Sequence, residues 1–126
     1  PRLSPMRLTF LDRLTNTVEF FVHLEDVRRA QPNWQPRTLL DDLESQLRTS
    51  ITQGGRLFAR KSPCGLVLQI AHGASVVAKK GEPAVTVTGE VGELIMFVYG
   101  RQDQARVELS GPDDLVQAVR STAFGV

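Results

Sequence analysis

The chain has 126 residues, 41% apolar and 23% charged, which suits one globular domain, or a small domain with part of another. A net charge of +1 gives no reason to expect nucleic acid or an anionic membrane as partner, and the single cysteine, Cys64, excludes an intrachain disulfide framework and suits a reducing cytoplasm. No apolar run reaches the length of a membrane span and no signal peptide is evident; the opening Pro1-Arg2-Leu3-Ser4-Pro5, without a methionine, suggests that a natural portion precedes it.

Residues 1–6 form a lead-in. From Arg7 to Ala30 there is no Gly or Pro, and apolar residues recur in steps of three and four at Leu8, Leu11, Leu14, Val18, Phe21 and Val22, which predicts one long helix. Phe10, Phe20 and Leu24 widen its apolar surface, so more than one side is expected to be covered. Pro32 and Pro36 end it, with Trp34 pinning the connection to the body. A second helix is expected over 38–61, opened by Thr38 with Asp41 three residues on. Its stripe is Leu40, Leu43, Leu47, Ile51 and Phe58, weakened or bent at Gly54-Gly55. The rival reading ends that helix at Gln53 and starts a short strand at 56–60.

The second half alternates. Strands are predicted at 66–71 and 75–79 around a His72-Gly73 turn, then at 84–88 after a turn at 80–83. Glu93 to Tyr99 reads as a short buried helix closed by Gly100, Ala105 to Leu109 as a fourth strand, and Pro112 as the first position of a last helix ending near Thr122. The class is therefore α+β, with a small antiparallel sheet.

Chemistry concentrates in the first helix. Glu19 and His23 are four apart inside a dense apolar run, so they share one helix face. A carboxylate and an imidazole so placed can bind one divalent ion, or can simply be a helix-stabilising pair. Two ligands do not complete a zinc site, which takes at least three from protein. Glu25 and Asp26 read as solvated, or at most as groups that orient a metal-bound imidazole. Arg28 and Arg29 suit the negative end of the helix dipole. His72 reads as an exposed turn residue. Cys64 lacks the companions of a nucleophile, and Gly89-Glu90-Val91-Gly92 is not a dinucleotide fingerprint.

The stretch Asn16-Thr17-Val18-Glu19-Phe20-Phe21-Val22-His23-Leu24-Glu25-Asp26-Val27-Arg28-Arg29-Ala30 resembles the last bundle helix of the actinobacterial maleylpyruvate isomerase family, DinB-like metal-binding proteins of which several use mycothiol. Gly92-Glu93-Leu94-Ile95-Met96-Phe97-Val98-Tyr99-Gly100-Arg101 is similar to the signature of the C-terminal domain fused to that bundle, itself similar to sterol carrier protein type two. Lys79 to Pro83 and Gly111 to Leu115 also sit where the family pattern would put them. The resemblance implies that residues 1–35 are the last helix of a DinB-like bundle and 36–126 a sterol-carrier-like domain. It makes Glu19 and His23 two metal ligands. The family's third ligand, a histidine on an early helix, has no counterpart here, because that helix would lie before Pro1.

What the resemblance implies for function is thiol-dependent isomerisation or S-transfer at a divalent metal, most naturally zinc, with mycothiol as a possible thiol and a small molecule as substrate. This chain by itself would not catalyse. The alternative is a non-enzymatic small-molecule-binding, lipid-binding or oligomerisation module, in which the exposed apolar long helices recruit a second copy and Met96, Phe97 and Tyr99 form a core or wall an apolar cavity.

Overall fold

The computed structural model describes the backbone of residues 5–125 and the side chains of residues 15–125, so the expected contacts of Leu8, Phe10, Leu11 and Leu14 lie outside the described residues. The first helix, α1, runs Pro5–Arg29, with Pro5 in its first turn, where a missing N–H costs nothing. The second, α2, runs Asp41–Phe58. Leu40, not Thr38, is its N-cap, without a side-chain cap bond, and three acidic residues in the first turn meet the positive end of the dipole.

The helix passes unbroken through Gly54-Gly55, which settles the choice against a strand at 56–60. Gly55 is buried, and a Cβ there would stand 3.3 Å from Val76 Cγ1. The glycine brings the α2 backbone down onto the strand beneath it, and that close packing offsets its low helix propensity.

Strands β1 (Gly65–Ile70), β2 (Ser75–Lys79), β3 (Ala84–Gly89) and β4 (Glu108–Ser110) form one sheet in the order β2-β1-β3-β4. β2 pairs antiparallel to β1 across the turn at His72, whose φ is 56°, and β4 pairs antiparallel to β3. β1 and β3, however, pair parallel, with Leu66 opposite Val85 and Leu68 opposite Val87. The sheet is therefore mixed, which corrects the antiparallel expectation. After β2 the chain does not add a strand to β2's open edge. It crosses past the start of β1 and joins its far side. The crossing is sterically possible because residue 65 is glycine: a Cβ there would overlap the carbonyl oxygen of Gly81.

That order puts the two most apolar strands in the middle. Leu66, Leu68, Ile70, Val85 and Val87 are buried on one face, while Val67, Gln69, Thr86 and Thr88 on the other are half-buried. Helix α3 (Val91–Val98) is buried along its whole length, consistent with an apolar run that has no polar side. Tyr99 caps it, and Gly100 follows at φ 84°. A 3-10 turn at Gln102–Gln104 leads to β4, shorter and later than the expected strand at 105–109. Helix α4 spans Asp113–Ser121, with Pro112 as its N-cap rather than its first residue. Val18, Phe21 and Val22 of α1 belong to the same core as Leu47, Ile51, Met96 and Phe97. Burying each large side chain of this set contributes about 1.5–3 kcal/mol.

Candidate metal-binding site

The second half of α1 has two apolar sides. Val18, Phe21 and Val22 point into the core. Phe20, Leu24 and Val27 point away from it and are 73%, 40% and 63% exposed. Glu19 and His23 border this outward face, one turn apart. Both open to one cleft of about 300 Å³, whose other walls are Val22, Tyr99, Arg101, Phe124 and Gly125.

Salt links fix which face of α1 turns outward. Glu25 is 1% exposed, and its carboxylate accepts bonds from Arg28 (2.7 and 2.9 Å), Arg29 (3.1 Å) and Arg37 (3.0 Å). Burial opposes its charge, yet the three guanidinium groups together hold the carboxyl below its ordinary range. Arg29, also buried, donates to both oxygens of Glu93 on α3 at 2.7 and 2.6 Å and to the Gln104 carbonyl at 2.6 Å. Burial works against its charge as well, but Glu93 and Glu25 prevail and raise its pKa. The Arg106 amide donates to Glu93 at 2.8 Å. Trp34 does pin the connection: the guanidinium carbons of Arg29 and Arg106 lie 4.4 and 4.6 Å from its ring centroid. Arg101 grips Asp26 with two bonds of 3.1 and 2.8 Å.

This network corrects two expectations. Glu25 and Asp26 are not simply solvated, and Arg29 does far more than face a helix dipole. Glu93 is the residue that reading the sequence for chemistry missed. Its signal was present, because a lone carboxylate in the apolar run Val91 to Tyr99 needs a buried cation as partner.

The His23 imidazole is well exposed, and its Nδ1 is 4.0 Å from Asp26 Oδ2, too long for a hydrogen bond. Asp26 is thus near enough to face the ring but is committed to Arg101. The donor set of Glu19 and His23 fits two positions of a divalent-ion site. Among the described residues, no three His, Cys, Asp or Glu side chains come together as a complete one. His72 is exposed in its turn and Cys64 is half-buried and unpaired; neither lines this cleft.

Tyr99 lines the same cleft as the pair. Its phenol is pushed above its ordinary pKa, first by burial and then by the negative charge of Glu19. A second cleft, of about 310 Å³, is lined by Arg29 and Glu93 themselves, with Glu25, Arg37, Glu44 and Glu90 also among its walls. Its charges are already paired with one another at Glu25, Arg29, Arg37 and Glu93. Among the described residues no helix is long and apolar enough to cross a membrane. Comparison of the chain with protein-family models, with curated proteins and with solved structures gives no match.

Proposed function

We propose that this chain belongs to a metal-dependent protein like those of the maleylpyruvate isomerase family, and that Glu19 and His23 are two ligands of a divalent ion. The observation that carries the reading is that both side chains line one cleft, between α1 and a wall that includes Tyr99, Arg101 and Phe124. The uncovered Phe20, Leu24 and Val27 beside them support it, since a metal helix of a bundle would present apolar residues to its neighbours there. The remaining ligands then come from outside the described residues. When bound, a zinc ion would hold a small thiol such as mycothiol as its thiolate, the form that attacks electrophiles. Glu19 and His23 contribute one oxygen and one nitrogen donor. Asp26 and Arg101 hold the wall beside His23 in place. A sterol-carrier-like role for residues 36–126 belongs to the same reading.

Elemental analysis of the purified protein tests it. Wild type is expected to carry a divalent metal, and Glu19→Ala and His23→Ala each to lose it while keeping the fold. Metal content unchanged in both variants rejects the reading.

The uncovered apolar face favours one other reading, an oligomerisation or binding module without catalysis. Light scattering on size-exclusion fractions separates the two. Under that alternative, Phe20→Ser with Val27→Ser dissociates an oligomer, whereas loss of the metal leaves it intact.

A further inference from the structure

The net charge of +1 conceals a division along the chain. Residues 45–81 hold six basic side chains and no acidic one, a net of +6, whereas residues 82–126 hold three basic and seven acidic, a net of −4. β1 and β2 belong to the first stretch, β3 and β4 to the second. The order β2-β1-β3-β4 therefore sorts the sheet into a positive half and a negative half. At one end of the sheet Leu66 pairs with Lys79, Gly65 with Ala84 and Thr86 with Ser110. α2 ends beside the β1–β2 corner, where Lys79 Nζ donates to the carbonyls of Arg60 and Ser62 at 3.2 and 2.6 Å. α4 begins beside the β3–β4 corner, where a Cβ at Gly111 would stand 3.0 Å from the Ala84 carbonyl oxygen. Arg56, Arg60, Lys61 and Lys80 at the first corner are exposed, as are Asp113 and Asp114 at the second. Glu82, exposed too, lies on the link between the corners. The corners are two to three strand spacings apart, about 10–14 Å. Among the described residues no ion pair involves any of these charges. Residues 1–14 cannot level the division, since they hold Asp12 but also Arg2, Arg7 and Arg13. Helix dipoles account for Arg56, Asp113 and Asp114. Lys61 and Lys80 lie outside both helices.

We propose that this end of the sheet is a docking surface for a second copy of the chain. A two-fold axis between the corners sets the basic corner of each copy on the acidic corner of the other, so one geometry satisfies both contacts. A nucleic acid or an anionic membrane would meet the aspartates along with the cations, so a surface of both signs suits its own copy better. Exposed charge pairs are individually weak and screened by salt, which makes the dimer weak and salt-sensitive. The surface is separate from the outward face of α1 and owes nothing to the metal reading.

Sedimentation equilibrium of the full chain tests the dimer. At about 0.01 M salt, where charges act over about 30 Å, wild type should approach the mass of two chains as its concentration rises. At about 0.15 M, where that range shrinks to about 8 Å, its dissociation constant should rise about tenfold or more. Arg60→Glu/Lys61→Glu/Lys80→Glu turns the first corner acidic, and Asp113→Lys/Asp114→Lys turns the second basic. Each variant alone should stay a single chain at low salt. Their equimolar mixture should associate at least as tightly as wild type, because both contacts are then restored. Lys61→Gln/Lys80→Gln reverses no charge and should weaken the dimer about threefold or more. Phe20→Ser/Val27→Ser should leave it intact; loss of the dimer in that variant moves the contact to α1 and overturns the proposal. Wild type that stays a single chain at low salt also overturns it, even where that chain binds anionic vesicles or duplex DNA. So do a dimer indifferent to salt or to both charge reversals, growth past two chains, and a mixture of folded variants that does not associate.

Discussion

Arg29 and Glu93 lie 64 residues apart, one in the last turn of α1 and one in the first turn of α3, and meet through two parallel bonds of 2.7 and 2.6 Å. The pair is more than an isolated link. Glu93 also accepts the Arg106 amide, and Arg29 also reaches Glu25 and the Gln104 carbonyl. This constellation sets the rotation of α1 about its own axis. Glu25 and Arg29 must face inward, so Glu19, Phe20 and His23 face outward. The position of the candidate site follows from a salt network that does not itself touch the ligands.

Removing one partner should cost more than removing both. Arg29→Met leaves Glu25 and Glu93 short of a buried cation, and is expected to destabilise by about 3–5 kcal/mol. Glu93→Leu strands Arg29 in the same way. The double variant Arg29→Met/Glu93→Leu should cost well under the sum, because no charge remains unpaired at the contact. Urea unfolding of the four proteins gives the cycle. Simple additivity would mean that the bonds contribute little beyond packing.

Acid should unfold the protein partly through Glu25. Its folded-state pKa lies below the ordinary 4.5, so as pH falls the unfolded chain takes up this proton first. The stabilisation is complete above about pH 4.5 and is lost as pH drops through the lower folded value. Glu25→Gln should therefore be less stable at pH 7, by about 1–3 kcal/mol, and show a shallower fall between pH 5 and pH 3. Parallel stability curves for the two proteins over that range would place the acid sensitivity elsewhere.

Most elements were legible from periodicity. α1, β2, β3 and the continuous α2 lie close to where spacing and β-branched residues put them. The parallel pairing of β1 with β3 was not legible, since a turn of four residues after β2 reads as one more hairpin, and the crossing depends on contact between Gly65 and Gly81 that local pattern does not encode. The Glu19–His23 pair was legible because i,i+4 spacing is local. Tyr99 was read only as core or cavity wall. Its place in the cleft of Glu19 depends on how α3 docks against α1, which is fixed by Arg29 and Glu93, two residues that look unrelated along the chain.

Tyr99 gives a direct optical check of that docking. Its pKa should lie above 10.0, because burial and the Glu19 charge both disfavour the phenolate. As the only tyrosine, it alone produces tyrosinate absorbance. Glu19→Gln should lower the midpoint but leave it above 10.0, burial being the larger cause. The folded state holds this proton longer than the unfolded chain, so stability is full below pH 10 and falls as pH rises through the folded value. A titration unaffected by Glu19→Gln would separate α1 from the Tyr99 wall.

The crossing at Gly65 has a test in which the sign decides. Where there is space and an ordinary backbone angle, replacing Gly by Ala stabilises a protein by about 0.4–1 kcal/mol, since the unfolded chain loses freedom. Gly65 is buried and lacks a left-handed φ, so its backbone does not forbid Ala. Space does: the new methyl would overlap the Gly81 carbonyl and stand 3.1 Å from the Ala84 Cβ. Neither neighbour is the tip of a flexible side chain. One is backbone of the crossing link, and the other begins the strand that pairs in parallel. Gly65→Ala is therefore expected to destabilise by about 1–3 kcal/mol in urea unfolding. A stabilising Gly65→Ala would mean that residues 80–83 do not pass over the start of β1, and the parallel pairing with β3 would fall with it.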